Sequence, residues 1–264
     1  MSAAIAVMLL SHRLCDTTLA RYDALRAALP AGDYDVVLTL TEPFGRAARG
    51  AGVADWVVLE PEEIFHPDYP LKPQSGKIVP GNPDLVTLAL WRRRPHYRHI
   101  WYVEFDVFFA GGAGVLAEVD AASDADLILP RGGSNRKRSP NWMHWPSVVI
   151  PETETPPAEK QLQSMLCLHR VSARMLRELD AAYRRGWAGH FEGTMPTLAT
   201  QTGLRVEQVN DIAKRTRGRR LIESDGFGAL ECRLFEADMI YHPLKTTASE
   251  ALLLAGETVN ARTP

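Results

Sequence analysis

The sequence predicts an α/β fold with a mostly parallel, doubly wound central sheet. Short apolar runs at 4–10, 34–40, 55–59 and 99–109 alternate with stretches of helical periodicity, the pattern of strand–helix–strand units. Asn82-Pro83-Asp84 marks one helix start well: Asn can cap, Pro is preset for the first helical position, and Asp favours the positive end of the dipole. The next run, 99–109, carries two acids, Glu104 and Asp106, just before Gly111 and Gly112 release the chain. That end of a strand is where α/β sheets bind their ligands.

The elements follow in order. Residues 3–10 are too short to span a bilayer, lack a basic leader and run into Ser11-His12-Arg13, so a strand over 4–10 is expected rather than an export signal. Leu19, Tyr22, Leu25, Arg26 and Leu29 set a helix over 16–29, which Pro30-Ala31-Gly32 stops. Strands at 34–40 and 55–59 precede a proline-rich excursion, 61–81, placed to lie over a site. The capped helix ends near Arg94 before Pro95, and the acidic strand follows. Beyond Gly114 come a short helix, a strand over 125–130 and a basic segment, 131–138, expected as a mobile loop. Extended pieces at 148–150 and 165–169 lead to helices over 172–185 and, behind Pro196, 195–200. The pattern closes with a strand over 205–209, a second basic loop at 214–220 and an extended piece at 237–242. A Pro/Glu/Thr stretch at 151–157 is the other compositional oddity, and no internal repeat or heptad is present.

With 264 residues the chain suits one large α/β domain or two small ones. Thirty Lys plus Arg against 32 Asp plus Glu leave a net charge of −2, which argues against bulk attraction to nucleic acid or anionic membrane and leaves such contact to local basic loops. Cys15, Cys167 and Cys232 are odd in number and widely spaced, so neither a disulfide framework nor a thiolate zinc site is expected, and a reducing cytoplasm is the natural home. No stretch reads as transmembrane.

Side chains alternate across a strand, so positions 104 and 106 are expected to point the same way. Two adjacent carboxylates repel and resist desolvation, and a divalent cation or polar ligand is the usual remedy. Two further motifs join them. Gly189-His190-Phe191-Glu192-Gly193 puts an acid on a Gly-bounded turn before a helix, and Tyr241-His242-Pro243-Leu244-Lys245 brings a His and a Lys together near the C-terminus.

This order of acid-x-acid strand, carboxylate heading a helix, and C-terminal His and Lys resembles nucleotide-sugar-dependent glycosyltransferases of the GT-A fold, over about residues 4–245. The resemblance implies one GT-A-like, Rossmann-like domain over 1–264 with helices on both sheet faces: a nucleotide-binding half, about 1–112, and an acceptor-binding and catalytic half, about 113–264. It implies that Mn²⁺ or Mg²⁺ is the cofactor, bound directly by Asp106, with His242 completing the coordination and Glu104 meeting the ribose or reaching the metal through water. An imidazole ligand tilts the choice toward Mn²⁺. It places Ser11 and His12 near the nucleotide base, allows Lys77 and Asn82 a nucleotide contact, and pairs Lys245 with the leaving diphosphate. Glu192 is then the general base of an inverting transfer, with Asp211 as second candidate. The implied partners are a nucleoside diphosphate sugar, UDP-linked in the leading reading, and a hydroxyl on a glycan, lipid-linked or small-molecule acceptor. Family members commonly carry Asp-x-Asp, from which Glu104 departs.

Two other classes compete. A nucleotidyltransferase of related fold normally has a Gly-rich, basic phosphate loop after its first strand, where this chain has Ser11-His12-Arg13-Leu14. A scaffold that binds ligand without turnover is the non-enzymatic alternative. Among other residues, Arg131, Arg136, Lys137 and Arg138 could meet an anionic group, and so could 215–220. Trp142, His144 and Trp145 could stack on an acceptor sugar or simply pack. His190 could orient Glu192. His66, His96, His99 and His169 lack zinc-ligand spacing, and Cys167 reads as inert core.

Overall fold

The computed structural model describes residues 3–11, 14–41, 53, 55–72, 78, 81–224 and 238–243. β1 (Ile5–Ser11) shows how the layers form. Ala6 and Met8 point into one apolar cluster, Val7 and Leu9 into the other, so the alternation of a single strand feeds two cores. α1 (Asp16–Ala28), β2 (Tyr34–Thr41) and β3 (Trp56–Leu59) follow as expected. The proline-rich excursion opens with a short helix, α2 (Pro61–Ile64), closed by a capping box between Glu60 and Glu63. In α3 (Pro83–Arg93) Asn82 holds the N-cap position without a side-chain capping bond, so capping does not account for it. Asp84 is wholly buried and serves an ion pair rather than the dipole alone.

The acidic run is divided. β4 (His99–Glu104) ends at Glu104, a turn intervenes, and β5 (Phe108–Phe109) leaves the main sheet. α4 (Val115–Ala122), β6 (Leu127–Leu129), β7 (Ser134–Asn135), β8 (Leu162–Gln163), β9 (Leu168–Ser172), α5 (Ala173–Arg184), α6 (Phe191–Gln201), β10 (Val206–Gln208), α7 (Val209–Arg217), β11 (Ile222–Ser224) and β12 (Ile240–His242) complete the order, with 3₁₀ turns at Trp145–Ser147 and Glu152–Glu154.

The central sheet has seven strands in the order β10-β6-β9-β4-β1-β2-β3, parallel except for β9, which runs antiparallel to both β4 and β6. α3, α5 and α6 pack on one face; α1, α4 and α7 pack on the other. The structure therefore bears out the mostly parallel α/β sheet covered on both sides. No described helix is long and apolar enough to cross a membrane.

Three expectations are corrected. α6 begins at Phe191 and carries Pro196 in its interior. Pro196 has no N–H for the carbonyl of Glu192, and the N–H of Ser164 takes that acceptor at 3.0 Å, so the helix survives its proline. Lys214 to Arg217 form the last turn of α7, not a loop: basic residues suit a helix C-terminus, and Gly218 at φ 72° supplies the left-handed cap. The first basic segment is tied by the β7–β8 pair and by Arg136, whose Nη1 donates to Gln161 Oε1 at 2.9 Å.

Candidate metal centre

Glu104 and Asp106 do converge, but through a turn. The N–H of Val107 donates to the carbonyl of Glu104 at 3.0 Å, which puts Phe105 and Asp106 at the corner beyond β4. β5 then pairs antiparallel with β12, Tyr241 opposite Phe108, and this register delivers His242 to the corner. His242 Nε2 lies 3.2 Å from Glu104 Oε2 and 3.4 Å from Asp106 Oδ1. One ligand atom from each of the three falls within 4.8 Å of the others. The donor set fits a divalent cation: two hard carboxylates, one imidazole, and a buried Asp106 Oδ1 that has no hydrogen-bond partner among the described residues.

The surroundings fix these groups. Tyr102, two residues before Glu104 on the same face, donates its hydroxyl to Glu104 Oε1 at 3.1 Å and leaves Oε2 facing His242. Its ring stacks on buried His169 at 4.7 Å. Burial holds the His169 pKa down at about 4, so its ring is neutral at pH 7 and, 2.9 Å from the Leu166 carbonyl, Nδ1 is its donor. The N–H of Glu104 is held by the carbonyl of Cys167 at 3.0 Å, and the Cys167 thiol lies in the electrostatic surroundings of the His242 ring. Burial alone would favour neutral His242, but Cys167, Asp106 and Glu104 outweigh it and lift its pKa well above the usual imidazole value. Tyr102→Phe is expected to weaken Mn²⁺ binding about tenfold in a calorimetric titration, the usual scale for losing an outer hydrogen bond to a metal ligand.

Glu192 lies in the first turn of α6. Its Oε1 accepts the N–H of Leu166 at 3.0 Å, and Oε2 lies 3.8 Å from His190 Nδ1. The helix start does not keep it strongly acidic. Burial lifts its pKa to about 7 against the Leu166 hydrogen bond, with Glu104 pushing it higher and His242 lower, so Glu192 shares the field of the triad. His190 is held down at about 4, chiefly by burial, and stacks on His144 at 3.9 Å. Trp142 meets His144, His190 and Trp145 edge-on and packs against Gly193, where a Cβ would stand 3.0 Å from its ring. A cavity of about 330 Å³ opens beside it, lined by Arg138, Ser139, Asn141 and Gln163.

The turn that presents Glu192 depends on Gly189. Its φ is +101°, and a Cβ there would stand 2.0 Å from the carbonyl oxygen of Ser147. Gly189→Ala is expected to destabilise the fold by at least about 2 kcal/mol, read from the denaturant midpoint, because strain and overlap add.

Of the other sequence-derived candidates, Ser11 is buried at the end of β1, next to the strand position facing Glu104, with its Oγ 3.2 Å from Thr18 Oγ1. Asn82 is buried at the start of α3. Asp211 stands apart from the three-residue cluster, half exposed on α7, 3.1 Å from Lys214 Nζ. His12, Lys77 and Lys245 lie outside the described residues. Sequence reasoning missed Tyr102, the Leu166 amide and the proximity of Cys167 to His242. Only Tyr102 left a signal, its i−2 spacing from Glu104.

No family model matches the chain, and no curated protein matches it. Among solved structures, the chain is similar to mouse xyloside xylosyltransferase 1 in its apo form, at 12% identity and a TM-score of 0.44, over 92% of this chain and 97% of that one. It is also similar to the galactosyltransferase LgtC in complex with donor and acceptor sugar analogs, at 13% identity and a TM-score of 0.43, over 83% of this chain and 75% of that one.

Proposed function

We propose that this chain is a metal-dependent glycosyltransferase that moves a sugar from a nucleoside diphosphate, UDP in the leading assignment, to an acceptor hydroxyl. The single observation that carries the reading is the meeting of Glu104, Asp106 and His242 at the C-terminal end of β4. Asp106 and His242 would hold Mn²⁺ or Mg²⁺, with Glu104 beside them or turned to the ribose. When bound, the cation supplies positive charge to the diphosphate. In the reaction the acceptor oxygen forms a bond to the anomeric carbon, the bond from that carbon to phosphate oxygen breaks, and the electron pair leaves with the nucleoside diphosphate. Glu192 takes the acceptor proton, in an inverting transfer, and Lys245 is assigned to the departing diphosphate. The cavity beside Trp142 is assigned to the acceptor, since an aromatic residue with Arg138, Asn141 and Gln163 around it suits a hydroxylated ring.

Thermal melting with Mn²⁺ and a panel of nucleoside diphosphates tests the reading: one nucleotide should stabilise the protein, and only with metal. No metal-linked stabilisation by any of them would overturn it. Glu192→Gln should keep that stabilisation and lose about 100-fold or more in turnover. A base must be ionised to accept a proton, so wild-type kcat should fall as pH drops through about 7, the Glu192 value. Undiminished turnover by Glu192→Gln would remove its assignment.

A further inference from the structure

The two basic segments of the sequence meet in one place. Arg131, beyond the C-terminal end of β6, and Lys214 and Arg220, in and after the last turn of α7, line a cavity of about 200 Å³. The charges facing it are these three cations and the carboxylate of Asp211, which Lys214 holds at 3.1 Å. Their neighbours are committed elsewhere: Arg215 to Glu207 at 3.1 Å, Arg217 to Glu118 at 2.8 Å, and Arg219 to Asp238 at 2.9 Å. Arg131 and Arg220 have no ion pair among the described residues, so two of the arginines that line this cavity lack a carboxylate of their own.

The walls are fixed. Ser164 Oγ donates to the carbonyl of Arg131 at 3.1 Å, and the Gln208 side chain packs on Gly132, where a Cβ would stand 3.0 Å from it. Asn210, itself buried, accepts the N–H groups of Leu221 at 2.9 Å and Ile222 at 3.0 Å and donates to the Ile222 carbonyl at 3.2 Å, tying the chain just after Arg220 to the start of α7. That start, at Asn210 and Asp211, also lines the cavity and adds the positive pole of a nine-residue helix. β6 and β10 are parallel and end here, so the cavity opens on the sheet edge that ligands use.

We infer that this cavity is an oxyanion site that takes a phosphate or sulfate group. Forked guanidinium donors match tetrahedral oxyanions, and the volume is below that of pockets for drug-sized ligands, so it suits one such group rather than a nucleoside diphosphate. The group is carried by a sugar or arrives as the free anion. The assignment is independent of the transferase reading, because neither the metal triad nor Glu192 takes part.

Calorimetric titration of the full chain in EDTA, without nucleotide and at constant ionic strength, tests it with inorganic phosphate, glucose 6-phosphate, glucose and chloride. Phosphate should bind saturably where chloride does not. Arg131→Gln combined with Arg220→Gln should weaken phosphate at least about tenfold while leaving the ligand-free unfolding midpoint unchanged, both side chains being exposed. Asp106→Asn should bind phosphate as the wild type does. Glucose 6-phosphate binding tighter than phosphate, with glucose inert, identifies a sugar-borne group; equal affinities identify the free anion. Phosphate acting no better than chloride, or binding the double variant like the wild type, overturns the site. If that happens while metal-linked nucleotide stabilisation persists, the transferase reading stands; the reverse pattern leaves only the oxyanion site.

Discussion

Asp106→Asn is expected to abolish metal-linked nucleotide binding and, with it, transfer. The substitution keeps the side chain's shape and exchanges one anionic oxygen for an amide, at a group only 8% exposed. Of the two acids, Asp106 is the better placed to hold a cation. Glu104 is 31% exposed and shares its charge with the Tyr102 hydroxyl, whereas Asp106 Oδ1 is buried and makes no hydrogen bond among the described residues. Losing an outer partner of a ligand lowers metal affinity by about 10–100-fold, so losing the ligand should lower it by at least about 100-fold. Mn²⁺ titration measures this directly, and the melting point without metal shows whether the fold is intact. A variant that binds Mn²⁺ like the wild type would remove Asp106 from the ligand set and the triad with it.

The triad was legible in the sequence for a reason that proved only half right. Strand alternation predicts that Glu104 and Asp106 share a side; they do meet, but the chain turns between them and β12 brings in the third group. A turn after Glu104 leaves little mark in Phe105-Asp106-Val107-Phe108-Phe109, whose residues favour strands, and the β12–β5 pairing joins segments more than a hundred residues apart. The parallel core was readable because β1, β2, β4 and β6 are apolar on both faces. The antiparallel run of β9 was not, because a doubly buried strand looks the same in either direction. Pro196 pointed to a helix start and marked an interior, since the backbone partner that rescues it comes from Ser164, distant in sequence. The raised pKa of Glu192 was likewise out of reach, because desolvation, a property of packing, dominates it.

The same limit hid Lys72, which the sequence places in a proline-rich excursion and the structure buries completely. Its Nζ donates to Asp84 Oδ2 at 2.8 Å and to the Gly189 carbonyl at 3.1 Å, and it lies 4.2 Å from the Tyr183 ring centre; Tyr183 donates its hydroxyl to the same Asp84 oxygen. These contacts tie the excursion, α3, α5 and the turn that presents Glu192. Lys72→Met is therefore expected to destabilise the protein by about 3–5 kcal/mol, because it leaves Asp84 charged and buried without its counter-ion. The double variant Lys72→Met/Asp84→Leu should lose less than Lys72→Met alone, since no uncompensated charge remains. Asp84→Asn gives the complementary result. Burial already lowers the Lys72 pKa and Asp84 opposes that shift, so without Asp84 it falls further. A folded-state pKa below the unfolded value means that the unfolded chain binds more protons between the two, so the variant should lose stability as pH falls through that window, more steeply than the wild type. Denaturant unfolding of these variants and of Asp84→Leu across pH measures both effects. A double variant whose loss equals the sum of the losses of Lys72→Met and Asp84→Leu would show that Lys72 and Asp84 act independently, and the turn carrying Glu192 would then owe its position to Gly189 and the packing of His190 instead.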